Sequence, residues 1–210
     1  MKTQYHIKIT TIALQNHFSQ TALDAIIEAN ISQDRLIYQI WHDYIHFDGN
    51  AFKKGFAYIA EQKNRIQESL LRENIHDAWE ALGRITHSWQ DFYSHSNYIK
   101  LWLDKHGQAK PEEIIHEDVE IMNHPGLRSG KNYGILELIA TTPGFAKVFF
   151  PIIPADSHAK MNLDGPDISP LFEYAYWAAL KQTHQVIDEI FEMLINNGVS
   201  SESIRLFKRK

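Results

Sequence analysis

The chain has 210 residues, 44% of them hydrophobic and 22% charged, which suffices for one sizeable core. A net charge of -5 argues against binding nucleic acid through a basic surface. The absence of cysteine excludes disulfides, thiolate metal sites and cysteine nucleophiles, so any transition metal must be held by carboxylates and by the twelve histidines.

From the N-terminus, residues 5–29 place Ile9, Ile12, Ala13, Ala22, Ala25 and Ile26 at helical spacing among polar residues. Ser32 reads as the N-cap of a second helix running to about Phe47, closed by the turn sequence DGN. Two long amphipathic helices follow at 52–73 and 77–104, broken near Asn74, and Gly107 and Pro111 end that block. The stretch from about 105 to 168 is rich in Pro and Gly but contains the apolar run YGILELIATTPGFAKVFFPIIP, which predicts short helices packed on the core or facing an apolar ligand. A last long helix spans 170–196 and stops at NNG, leaving the tail RLFKRK frayed. Strand signals are weak. The expected fold is all-α, one domain over 1–210 with an irregular insertion at about 105–168.

No apolar run approaches the length of a membrane span. The opening MKTQYHIKITTIAL lacks the apolar core and cleavage site of a signal peptide, so a cytoplasmic location is expected, with signal-independent export left open.

The stretch HSWQDFYSHSNY puts His87, Asp91 and His95 at intervals of four, on one helical face. At about 1.5 Å per residue His87 and His95 stand roughly 12 Å apart, too far for one ion, so a metal row would serve at least two ions with Asp91 between them. The competing reading is an exposed polar stripe. The aromatics Trp89, Phe92, Tyr93 and Tyr98 read either as core or as a wall for acyl chains or bases. Phosphate-binding loops, dinucleotide glycine patterns and nucleophile elbows are absent from the sequence. Two Glu-x-x-His pairs, Glu73–His76 and Glu113–His116, fit a di-iron bundle, but they fall near helix ends. The doublets His42–Asp43 and His76–Asp77 fit the His-Asp phosphohydrolases only weakly. More pointed are His6, Asp34 with His46, and the run PADSHAKMNLDGP with His158, Asn162 and Asp164, each set among apolar neighbours where an unpaired polar group is costly. Asp48 and Asp156 are candidates to orient ligating imidazoles.

Together HIKITTIAL, HFDGN, HSWQDFYSHSNYI and PADSHAKMNLDGP resemble the zinc-dependent phospholipase C and single-strand nuclease superfamily, nearest its HET-C-like branch. The resemblance implies an all-α fold holding two to three zinc ions that cleave phosphate esters. It implies that Asp34, His46, His87 and Asp91 surround one zinc. Asp91 bridges to a second, completed by His6 and the Met1 amine. His95 and His158 hold a third with Asp164, because Asn162 stands where that family has a carboxylate. Asp34 and Asp91 are the implied catalytic carboxylates. The acidic charge and the apolar segment favour a phospholipid phosphodiester, at or near a membrane surface, over nucleic acid. The alternatives are a single-strand nuclease and a non-catalytic helical protein stabilised by metal at a membrane or partner.

Overall fold

The computed structural model describes residues 1–35, 42–142, 144 and 146–208. At its centre is a helix with almost no solvent face. Helix α1 (Thr3–Leu14) and α2 (Gln20–Ser32) lead into a pair of short 3-10 turns, Asp43–His46 and Asp48–Asn50. They are followed by α3 (Phe52–Leu71), α4 (Ile75–His95) and α5 (Tyr98–His106). Four short helices come next: α6 (Val119–Met122), α7 (Ile135–Thr141), α8 (Ala146–Phe149) and α9 (His158–Met161). The long α10 (Phe172–Asn196) and α11 (Ser201–Lys208) complete the chain.

Every residue from Ile85 to Ser96 is buried, the pattern of a helix enclosed by neighbours rather than lying on a surface. The enclosing helices are α2, α3 and α10, with α1 lying across α2 and α10. Leu82, Ile85, Phe92 and Tyr93 are fully buried, and Phe92 meets Phe47 edge-on at 5.2 Å between ring centroids. The aromatic stripe is therefore core: Trp89, Phe92, Tyr93 and Tyr98 all lie inside the bundle. The all-α architecture holds, with two isolated bridges and no extended strand among the described residues. No helix among them is long and apolar enough to cross a membrane.

Helix boundaries differ from the sequence reading in four places. The segment 5–29 breaks at residues 15–19, where Ser19 caps α2 by accepting from the Ala22 amide at 3.4 Å. Ser32 ends α2 rather than starting a helix, its hydroxyl donating back to the Ala29 carbonyl at 2.8 Å. Residues 36–41 of the helix expected there lie outside the described residues. The 77–104 helix divides after His95, since Asn97 takes the Arg128 carbonyl through its amide at 2.9 Å instead of continuing the helix. As far as Lys208 the tail belongs to α11, because Phe207 is fully buried and its carbonyl accepts from the Trp79 indole at 2.7 Å; residues 209–210 lie outside the described residues.

Gly83 sets how closely α2 approaches α4, for a Cβ there would lie 2.3 Å from the Ile26 carbonyl oxygen. On helix propensity alone Gly83→Ala should stabilise by about 0.5–1 kcal/mol. The steric clash is larger, and a net loss of about 1–3 kcal/mol in urea denaturation is expected. An unchanged or raised midpoint would contradict the packing.

Candidate metal centre

Backbone hydrogen bonds from distant segments bring the site together. α4 supplies His87, Asp91 and His95, α1 supplies His6, and the turn closing α2 supplies Asp34, whose amide donates to the Ile31 carbonyl at 3.2 Å. The two 3-10 turns supply His46 and Asp48 around Phe47, Gly49 and Asn50, which all have positive φ. Burial of the Phe47 ring offsets the cost of its left-handed backbone. A strap at Ser129–Lys131 then ties three ligand-bearing segments together. The Gly130 amide donates to the His95 carbonyl at 3.0 Å, its carbonyl accepts from Gly49 at 2.7 Å, and the Lys131 carbonyl accepts from the His158 amide at 2.8 Å. Residue 130 must lack a side chain, because a Cβ would stand 2.6 Å from the His158 Cα. Lys2 anchors the chain start by donating its amide to the Asp164 carbonyl at 3.0 Å.

Asp91 is the hub. It is fully buried, with His46 Nδ1 at 2.7 Å and His87 Nε2 at 3.0 Å from Oδ2. Its Oδ1 faces the Met1 amine at 2.6 Å, His6 Nε2 at 3.3 Å and His95 Nε2 at 3.8 Å. His87 Nε2 also lies 3.1 Å from His46 Nδ1 and 3.7 Å from Asp34 Oδ1. The ligand atoms of His6, Asp34, His87 and Asp91 all fall within 4.8 Å of one another. A second group is formed by Asp48, His95 and His158, with Asp48 Oδ1 3.0 Å from His158 Nδ1 and 3.5 Å from His95 Nδ1. Two donors on one tetrahedral zinc, each about 2.1 Å from it, are spaced about 3.4 Å apart, so this donor set matches such an ion in type and spacing. The fit is sharpest at His6, whose buried Nε2 faces Asp91 and has no hydrogen-bond partner among the described residues.

The charges respond to this crowding. Burial works against the Asp91 carboxylate, yet the adjacent Met1 ammonium holds its pKa well below the usual carboxylate range. The same ammonium, with His95 and His158, depresses Asp164 against its burial. Burial alone would lower the Met1 amine, but Asp91 and Asp164 outweigh it and raise the amine to about 11. At His158 burial is likewise overcome, by Asp48 and Asp164, and its pKa rises to about 9. At His46 burial is overcome by the hydrogen bond its imidazole donates to Asp91, and the shift is upward. At His87 burial wins, lowering it to about 4 although Asp91 opposes.

All nine residues singled out from sequence (Met1, His6, Asp34, His46, His87, Asp91, His95, His158 and Asp164) lie in or beside these two groups. Asp164 sits 3.1 Å from His95 Nε2 and 2.9 Å from the Met1 amine rather than between His95 and His158. That place belongs to Asp48, read from sequence only as an orienting partner. Asp156 is elsewhere, paired with Lys131 at 2.8 Å and with the Tyr133 hydroxyl at 2.8 Å. Asn162 spends its amide nitrogen on the carbonyls of His158 and Ala159. The di-iron pairs do not converge: Glu113 accepts from the Lys110 amide and His116 pairs with Gln185, while His76 is largely exposed beside Glu80. His42 turns to the Tyr44 hydroxyl at 3.1 Å. Sequence reading missed Gln90, fully buried and 2.6 Å from His6 Nδ1; the signal was an amide next to Asp91 on a helix with no solvent face.

Residues 3–126, more than half of the chain, match the VWA7 N-terminal domain. The chain belongs to that family. This corrects the resemblance drawn from the motifs, since the family is a different one from the zinc-dependent phospholipase C and nuclease superfamily. The motifs misled because imidazole and carboxylate at helical spacing record the chemistry a site can do, whatever the lineage. The family match covers His6 through His95 and stops before the Gly130 strap, His158 and Asp164. No curated protein and no solved structure matches the chain.

The shifted groups set how stability depends on pH in chelator-treated protein. The unfolded chain takes up the His87 proton near pH 6.5, whereas the folded chain refuses it down to about 4. Unfolding therefore gains protons in that window, and stability falls as pH drops through it, by up to about 3 kcal/mol. His158 and the Met1 amine act on the other side: their stabilisation is full below their unfolded values of 6.5 and 8.0 and is lost as pH rises to about 9 and about 11. Tm should peak near pH 6.5, and His87→Asn should flatten the acid limb. A Tm constant from pH 6.5 to 4.5 would contradict this.

Proposed function

We propose that this chain is a metal-dependent hydrolase of phosphate esters working with two to three zinc ions. The observation that carries the reading is Asp91, buried with each oxygen turned to a different set of nitrogens, one of which, His6 Nε2, has no hydrogen-bond partner among the described residues. Mixed nitrogen and oxygen donors favour zinc over magnesium or calcium, which prefer oxygen throughout. Asp34, His46, His87 and Asp91 would hold one ion. His6, Asp91 and the Met1 amine, once deprotonated, would hold a second, and Asp48, His95 and His158 a third with Asp164 alongside. Bound zinc supplies a water acidified to a pKa of about 7 and positive charge for the phosphate oxygens.

The rest follows from this chain's own residues. Asp91 keeps the two inner groups in register. Asp34 is partly open to solvent, with a side chain 28% exposed against 0% for His87, so it is placed to accept a proton from an attacking water. His158, also 28% exposed, and Asp164, 19% exposed, form the open edge of the centre, from which a phosphate would enter. This openness favours catalysis over a closed structural site; the complete burial of His6, His87 and Asp91 is what supports a purely stabilising role for the metal.

The preferred substrate is a phosphodiester carrying an apolar group, such as a phospholipid. Helix α9, which begins at His158, also lines a cavity of about 580 Å³ walled by Ala140, Phe150, Met161, Leu163 and Ile168, with Lys100 and Lys160 beside them. Val148 and Ile152 are exposed on the same segment, an apolar surface suited to a lipid interface. A single-strand nuclease is the competing reading. Zinc-loaded protein should hydrolyse phosphatidylcholine vesicles in preference to single-stranded DNA, and Asp34→Asn should slow the reaction by about 100-fold or more. Cleavage of DNA alone would reverse the substrate preference. No hydrolysis of either, or of a simple aryl phosphate, by zinc-loaded protein would overturn the enzymatic reading.

A further inference from the structure

Behind the carboxylate and imidazole centre lies a second polar layer made of uncharged side chains. Thr10 from α1, Asn30 from α2, Thr86 and Gln90 from α4, and Thr183 from α10 are all fully buried. Its hydrogen-bond directions can be worked out from atoms that have no choice. Backbone carbonyls only accept, so the Thr86 hydroxyl donates to Gly83 at 2.9 Å and the Thr183 hydroxyl donates to Ala179 at 2.8 Å. Each hydroxyl oxygen is then left as an acceptor. Thr86 accepts from Asn30 Nδ2 at 2.9 Å, and Thr183 accepts from Gln90 Nε2 at 3.4 Å. Thr10 accepts from Gln90 Nε2 at 3.1 Å, while the two N–H groups of Asn30 go to its two shorter contacts, Thr86 and Gln90, rather than to Thr10 at 3.3 Å.

These contacts fix which way the Gln90 amide faces. Its Oε1 accepts from Asn30 Nδ2 at 3.2 Å and stands 2.6 Å from His6 Nδ1. Turning the Gln90 amide over would set its NH2 group against the Asn30 NH2 group, donor against donor. An amide oxygen cannot donate, so the proton between Gln90 and His6 belongs to His6 Nδ1. In the neutral form of the imidazole, which has only one N–H, this leaves Nε2 as a bare lone pair. That Nε2 is buried and 3.3 Å from Asp91 Oδ1, with no hydrogen bond among the described residues. Two lone pairs facing each other in a dry interior are tolerable when a cation lies between them.

We infer that Gln90, oriented by Asn30 and Thr183, is a positioning residue that locks His6 in the Nδ1–H tautomer and so presents Nε2 as a lone-pair donor to a cation shared with Asp91. The use of that lone pair rests on the metal reading above; the tautomer itself does not. Second-layer partners of this kind change metal affinity without touching the metal.

The test is the tautomer of His6 in the full chain, read from long-range proton–nitrogen correlation spectra of the chelator-treated protein at mildly alkaline pH. The expected result is a protonated Nδ1 and a bare Nε2; an Nε2–H tautomer overturns the inference. Gln90→Leu should give a mixture of tautomers and weaken zinc binding, measured by chelator competition, by about 10–100-fold. Gln90→Glu keeps an acceptor facing Nδ1 and should restore both readouts. If Gln90→Leu fails to fold, Thr183→Val is measured in its place and should shift the tautomer in the same direction to a smaller extent. A folded Gln90→Leu with wild-type tautomer and wild-type zinc affinity overturns the inference. A wild-type protein with the expected tautomer but no zinc uptake supports the lock and rejects the metal reading alone.

Discussion

The structure depends on a carboxylate buried where carboxylates are costly. Removing a charged group from water costs several kcal/mol unless partners in the interior replace the solvent. Asp91 has no solvent exposure and five nitrogens within 4 Å, from Met1, His6, His46, His87 and His95. Each comes from a position that another feature of the fold must hold. The Met1 amine is kept in place by the Lys2 amide on the Asp164 carbonyl, His46 by the left-handed turn at Phe47, and His95 by the strap through Gly130. The arrangement is therefore cooperative, because none of these segments gains by coming to the centre of α4 unless the others do too.

Two layers of polarity share the core. The inner layer is charged or chargeable and opens to solvent at Asp34 and His158, whereas the layer behind it is neutral and closed. The neutral layer restricts the charged one to a single orientation, and the partly exposed rim is where a ligand can reach it. The aromatic cluster of Phe47, Phe56 and Phe92 packs beside the site, with Phe47 between His46 and Asp48.

Much of this was legible in the sequence. The four-residue spacing of His87, Asp91 and His95 specifies one helical face, and the absence of cysteine confines ligands to His and carboxylate. The all-α fold follows from the helical periodicity of the apolar residues. Other features were hidden for physical reasons. Asp48 reaches His95 and His158 only because Phe47, Gly49 and Asn50 adopt positive φ, a turn that the letters HFDGN permit without requiring. The break after His95 was invisible because apolar residues continue through Tyr98, Ile99 and Trp102 at helical spacing, all of them buried. Gln90 gave no chemical signal, since an amide becomes informative only when its neighbours are known. Lineage was misread for the opposite reason: the ligand-type residues were the loudest feature of the sequence, and they describe chemistry rather than descent.

The most direct test of the central claim is the metal content of wild-type protein and of Asp91→Asn after zinc saturation and desalting, by inductively coupled plasma mass spectrometry. If Asp91 is the shared ligand of the two inner groups, wild type retains two or three zinc ions per chain and Asp91→Asn at most the one held by Asp48, His95 and His158. A wild-type chain that retains no stoichiometric metal, or an Asp91→Asn chain that retains as much as wild type, would contradict the account.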